Sequence, residues 1–113
     1  MKVAVIGSRT LYVDDLSEYI PSNCTEIISG GAKGIDSCAA EFAKSNSLKL
    51  TEILPDYKSF GKAAPIIRNK QIVDSADFVI TFWDGKSKGT LSVINYCRQR
   101  SRGLKLVLID TEK

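Results

Sequence analysis

Five short apolar runs, separated by stretches long enough for one helix each, constrain this chain more than any other feature. They are Lys2 to Ile6, Thr25 to Ser29, Leu48 to Leu54, Asp77 to Phe82 and Leu104 to Ile109. The continuous apolar run Lys2 to Ile6 suits a strand buried on both faces, and the other four read as strands. The stretches between them carry helical spacing. Val13, Leu16 and Ile20 predict a first helix, with Asp14 and Asp15 near its start and Pro21 at its end. Ile35, Cys38, Ala39, Phe42 and Ala43 share one face of a second, with Glu41 and Lys44 off it. Pro65 suits the first turn of a third, Pro65 to Ser75, whose apolar side is Ile66, Ile67 and Val73. A fourth runs from Thr90 to Arg100 with Leu91, Ile94 and Cys97 inward, and Gly103 follows as a stop.

Five strands alternating with four helices predict an α/β fold: a doubly wound, five-stranded parallel sheet with helices on both faces. At 113 residues the chain is expected to be one domain, 1–113. In such sheets ligands bind beyond the carboxyl ends of the strands, near the switch in strand order. The loops expected at that edge are 8–10, 29–33, 55–64 and 83–90, so the glycine-rich and cationic loops converge there.

Two of these loops are glycine turns leading into helices. Gly30-Gly31-Ala32-Lys33-Gly34 follows the second strand, and Gly85-Lys86-Ser87-Lys88-Gly89-Thr90 the fourth. Each can offer backbone N–H groups and a helix-end partial charge to an anion. Neither has GxGxxG spacing, and no Walker A pattern is present. Ordinary turn chemistry also uses glycine at such places. Arg9 and Arg68 can bind phosphate bidentately or simply lie on the surface. Lys33, Lys86 and Lys88 add positive potential or are solvated. Asn69 can address a ribose or base, or face water on its helix. Asp36 can stabilise a helix N-terminus or face a ligand. Asp36 and Asp84 are the acids to consider for proton transfer; beside a phosphate they would repel it, so a ribose-directed role is expected of them. Trp83 and Tyr57 offer rings for stacking, although aromatics near strand ends more often belong to the core.

The remaining composition excludes several chemistries. There is no histidine, which removes histidine metal sites and any Ser-His-Asp or Cys-His catalysis. The three cysteines, Cys24, Cys38 and Cys97, are far apart and are expected to be free thiols. No metal or cofactor is implied. The net charge of +3 permits anionic ligands but, without a dense Lys/Arg block, does not by itself indicate nucleic acid. No run is long enough for a membrane span, and the first residues read as a strand rather than a signal peptide, so the cytoplasm is the expected compartment. A receiver domain would need an acidic pair after the first strand, where this chain has Ser8-Arg9-Thr10.

Four pieces together carry a resemblance. Gly7-Ser8-Arg9 follows the first strand, Ser29-Gly30-Gly31-Ala32-Lys33-Gly34-Ile35-Asp36 the second, Arg68-Asn69 lies in the third helix, and Trp83-Asp84-Gly85 with Ser87 and Gly89-Thr90 follows the fourth strand. The pattern resembles the SLOG superfamily, the Rossmann-like group that spans the Smf/DprA DNA-processing proteins and the LOG (Lonely Guy) phosphoribohydrolases. It looks most like the small stand-alone bacterial and phage members of the YspA-like kind. The resemblance implies a Rossmann-like domain over nearly the whole chain and a nucleotide or ADP-ribose-like ligand held by these residues. The expected function is binding or sensing of a nucleotide-derived, phosphate-bearing small molecule. The alternatives are LOG-like N-glycosidic hydrolysis of nucleoside monophosphates and DprA-like single-stranded DNA binding. The LOG motif PGGxGTxxE ends in a catalytic glutamate, and Val93 holds that position here. Family analogy also implies a homo-oligomer.

Overall fold

The computed structural model describes residues 1–100 and 103–109. The elements are β1 (Lys2–Gly7), β2 (Glu26–Ser29), α1 (Ile35–Ser45), β3 (Lys49–Glu52), α2 (Tyr57–Phe60), α3 (Ala64–Ser75), β4 (Phe78–Trp83), α4 (Lys88–Gln99) and β5 (Gly103–Leu108), with a 3-10 turn at Gly61–Ala63 between α2 and α3. The five strands form one parallel sheet in the order β3-β2-β1-β4-β5. This is the doubly wound α/β arrangement that the strand pattern predicts. The order reverses at β1, so the connections from β1 and β4 depart in opposite directions and leave a crevice between their carboxyl ends.

Side-chain alternation along the strands builds two cores. Val3 and Val5 of β1, Ile27 of β2, and Ile80 and Phe82 of β4 face α1, packing on Ile35, Cys38, Ala39 and Ala43. Ala4, Ile6, Ile28 and Val79 point the other way, against Ile72 and Val73 of α3, Ala76 just after it, and Val93 and Cys97 of α4. Both faces of the central strands are therefore covered. No helix among the described residues is long and apolar enough to cross a membrane.

Three local expectations are corrected. The helix through Val13, Leu16 and Ile20 does not form; residues 8–25 are irregular. Leu11 and Leu16 are still buried in the α1-side core, so the apolar residues are satisfied without a helix. The Asp15 carboxylate accepts the Ser17 N–H at 2.9 Å, and this local bond competes with a helical turn. The stretch 55–64, expected as a loop, contains the single helical turn α2, capped by Asp56, whose side chain accepts the Ser59 N–H. Ile66 and Leu91 are exposed rather than inward. In α4 the buried positions are Thr90, Val93, Ile94 and Cys97, and in α3 they are Ala64, Arg68, Ile72 and Val73.

One backbone contact locks the crevice. Gly34, the residue before α1, has φ +72°, and a Cβ there would lie 2.5 Å from the Arg9 carbonyl oxygen. The loop after β1 and the turn after β2 thus meet backbone to backbone. Gly89, in the first turn of α4, has nothing within 4 Å of the same position. Gly34→Ala is expected to destabilise the fold by ~1–3 kcal/mol through strain alone. Gly89→Ala should leave stability unchanged or raise it by up to ~1 kcal/mol. Urea unfolding of both variants checks this, and a Gly34→Ala protein as stable as wild type would contradict the interlock.

Candidate functional site

The crevice is a cleft of about 340 Å3 lined by the end of β1, by the three loops after β1, β2 and β4, and by residues of α1, α3 and α4. Of the residues singled out from the sequence, it gathers Gly7, Ser8, Arg9, Gly30, Ala32, Asp36, Arg68, Asn69, Asp84, Ser87, Gly89 and Thr90. Thr10 and Pro65 also line it, with Ile6 and Ile72 as apolar lining. Gly31, Lys33, Gly34, Trp83 and Gly85 lie outside its lining, as do Tyr57, Lys86 and Lys88. Gly31, Gly34 and Gly85 act through the backbone, each at positive φ. Lys33 is exposed.

Arg68 ties three elements together at the inner wall. Its residue is only 6% exposed. Nη1 donates to the Gly30 carbonyl at 2.8 Å and to the Ile53 carbonyl at 3.3 Å; Nε donates to the Asn69 side-chain oxygen at 2.9 Å. One guanidinium from α3 thereby satisfies carbonyls just past the ends of β2 and β3. Burial pulls its pKa below the ordinary arginine value, while the nearby Asp36 charge acts in the opposite direction. Its Nη2 group, with two N–H donors, has no acceptor among the described residues.

Asp36 is the buried carboxylate of the cleft, 8% exposed. Oδ2 accepts the Ala32 N–H at 3.1 Å. Arg68 Nη1 and Asp36 Oδ2 press on the same side of Gly30, where a Cβ would meet them at 2.6 and 2.9 Å. A Cβ at Gly30 would push the guanidinium or the carboxylate out of place. Burial raises the Asp36 pKa above its ordinary value, outweighing the Ala32 hydrogen bond and the attraction of Arg68 and Arg9; Glu52 adds repulsion. The 30–34 turn is therefore occupied from within. Its Gly31 N–H points to the Ser29 hydroxyl at 3.4 Å and its Ala32 N–H to the chain's own carboxylate.

The second turn is built differently. Asp84 Oδ1 accepts the N–H groups of Lys86 and Ser87, both at 2.8 Å, and Oδ2 accepts from the Thr10 hydroxyl at 3.4 Å. These bonds, that from Ser87 foremost, hold its carboxyl below the usual range. Trp83 braces the same turn, its Nε1 donating to the Ser87 carbonyl at 3.0 Å. Ser87 caps α4, accepting from the Thr90 N–H at 3.3 Å and the Thr90 hydroxyl at 3.1 Å. Thr90 also lies 3.4 Å from the Ser8 hydroxyl. Three hydroxyls thus cluster beside the α4 N-terminus. The Lys88 and Gly89 N–H groups find no acceptor among the described residues. Arg9 is exposed in the same cleft, and its side chain makes no hydrogen bond or ion pair among them.

Arg68 has the clearest sequence signal for its placement: Ala64, Arg68 and Ile72 are spaced by four and share the buried side of α3. Val93 has helical spacing with Thr90 and Cys97 and is 2% exposed in the core, away from the cleft. Among the described residues, no group of three Cys, Asp or Glu side chains is placed to hold a metal ion.

Comparison of the chain with protein-family models finds no match, and comparison with curated proteins finds none.

The raised pKa of Asp36 makes its ionised form a cost to folding. Between its ordinary value of 3.8 and the higher native value, the native state binds more protons than the unfolded state, so stability falls as pH rises. Asp36→Asn removes that cost and keeps an oxygen for the Ala32 N–H. The variant should be at least as stable as wild type at pH 7, and the difference should shrink on acidification towards pH 3.8. Thermal unfolding across pH measures it; a variant destabilised at pH 7 and not at low pH would show the reverse sign.

Proposed function

We propose that the protein binds a nucleotide-derived, phosphate-bearing small molecule in this cleft, as a SLOG-type domain. The observation that carries the reading is the α4 end of the cleft. There the Gly89 N–H is unpaired among the described residues, a Cβ built on Gly89 meets nothing, and the Ser8, Ser87 and Thr90 hydroxyls surround the same helix start. Arg9 supplies a cation in the same cleft. Together these offer donors, positive potential and room for a phosphate. A volume of about 340 Å3 lies at the lower end of the ~300–1,000 Å3 range of small-molecule sites, which favours a mononucleotide-sized ligand over a dinucleotide.

Binding is preferred over LOG-type hydrolysis because Val93 lies buried in the core, with no carboxylate reaching the cleft from that position. Asp84 is committed to its own turn, which makes it a poor proton carrier. Single-stranded DNA binding has less support, since Trp83 hydrogen-bonds Ser87 and the lysines 33, 86 and 88 stand outside the cleft lining.

Calorimetry with adenosine monophosphate and with pyrophosphate tests the reading. Wild type should bind at least one of them, and Gly89→Ala should weaken that binding about tenfold or more while remaining folded. Absence of binding at millimolar concentrations, or equal affinity in the variant, would contradict it.

A further inference from the structure

Resting on the phosphate reading above, we infer that Asp36 and Arg68 form a sugar-reading subsite, which selects a ribose with free 2′- and 3′-hydroxyls. The two residues flank Gly30 on the inner wall of the cleft, and each is more than nine-tenths buried. Each also keeps polar capacity that the chain does not use. Asp36 spends Oδ2 on the Ala32 N–H, while Oδ1 has no donor among the described residues. Arg68 spends Nε and Nη1, while Nη2 has no acceptor among them. Neither atom is sealed in the core, since the Thr81 hydroxyl is the one fully buried side-chain polar atom without a partner among the described residues.

The chemistry of this pair restricts what can sit against it. An ionised carboxylate only accepts hydrogen bonds, and a guanidinium only donates them. A phosphate would be attracted by Arg68 and repelled by Asp36, so the pair is a poor anion site. A vicinal diol fits it: its hydroxyl protons go to Asp36 Oδ1 and its oxygen lone pairs accept from Arg68 Nη2. The pair shares one cleft with the hydroxyls and N–H groups at the start of α4. A ligand that spans the two ends carries an anion at one and vicinal hydroxyls at the other, as a 5′-phosphorylated ribonucleoside does. The buried carboxylate then has a reason to be kept despite its folding cost, because stability yields to function at such sites.

The test titrates wild type and Asp36→Asn by calorimetry with adenosine monophosphate and its 2′-deoxy and 3′-deoxy analogues. Wild type should bind the ribonucleotide about 10- to 100-fold more tightly than either analogue, the range for losing a hydrogen bond to a charged group. Asp36→Asn should bring the three affinities within a few-fold of one another, chiefly by weakening the ribonucleotide. If wild type binds all three equally, the sugar subsite is wrong while the phosphate reading stands. If the variant keeps the full discrimination, Asp36 is not the reader. If none of the three binds, and pyrophosphate does not bind either, the phosphate reading itself fails and the subsite with it.

Discussion

The fold's functional edge depends on one buried cation. Among the described residues Arg68 is the only buried basic side chain and Asp36 the only buried acidic one. Burying a guanidinium costs several kcal/mol unless its donors are met. Here three of its donors go to Gly30, Ile53 and Asn69, and the negative charge of Asp36 lies close by. In return the carbonyls that emerge from β2 and β3 are held in fixed positions relative to α3. Everything on that side of the cleft, including the conformation of the 30–34 turn, is referred to this side chain. At Gly30 the two charged groups occupy the space a Cβ would need, so a larger residue would displace them.

The two glycine turns therefore have different physical roles although they look alike as sequence. The turn after β2 gives its Gly31 N–H to Ser29 and its Ala32 N–H to the chain's own carboxylate, Asp36, which lies in the cleft. The turn after β4 uses Asp84, Ser87 and Trp83 to shape itself and to cap Thr90, and leaves open space beside Gly89 at the start of α4. Asp84 takes the Lys86 and Ser87 N–H groups of that turn, but the Lys88 and Gly89 N–H groups beyond it have no acceptor among the described residues, and an anion can meet them there. On the proposed reading this asymmetry orients the ligand, with phosphate towards α4 and sugar towards α1 and α3.

Much of the architecture was legible from periodicity. The five apolar runs pair as a parallel sheet, and the loops that carry Arg9, Gly30, Asp84 and Gly89 meet at one edge. What failed was local. Val13, Leu16 and Ile20 have helical spacing, yet Leu16 is buried from an irregular segment in which Asp15 forms a turn of its own. Leu91 looked like a core residue by hydrophobicity, but Val93 and Thr90 take the buried face of α4. The spacing of Ala64, Arg68 and Ile72 carries a signal for the buried side of α3, but not for the carbonyls Arg68 holds, which come from residues 15 and 38 positions away. The same long-range contacts explain why Asp36 could not be assigned from sequence: its environment is set by α3 and Gly30, not by its own helix.

The most direct test of the account is a residue-resolved map of where a nucleotide binds. Amide chemical shifts of the protein, followed by nuclear magnetic resonance during titration with adenosine monophosphate, supply it. The account predicts saturable shifts confined to residues 7–10, 29–36, 68–69 and 84–90. Shifts centred instead on the outer groove between α3 and α4, around Lys70, Leu91 and Tyr96, or no shifts at millimolar ligand, would contradict it.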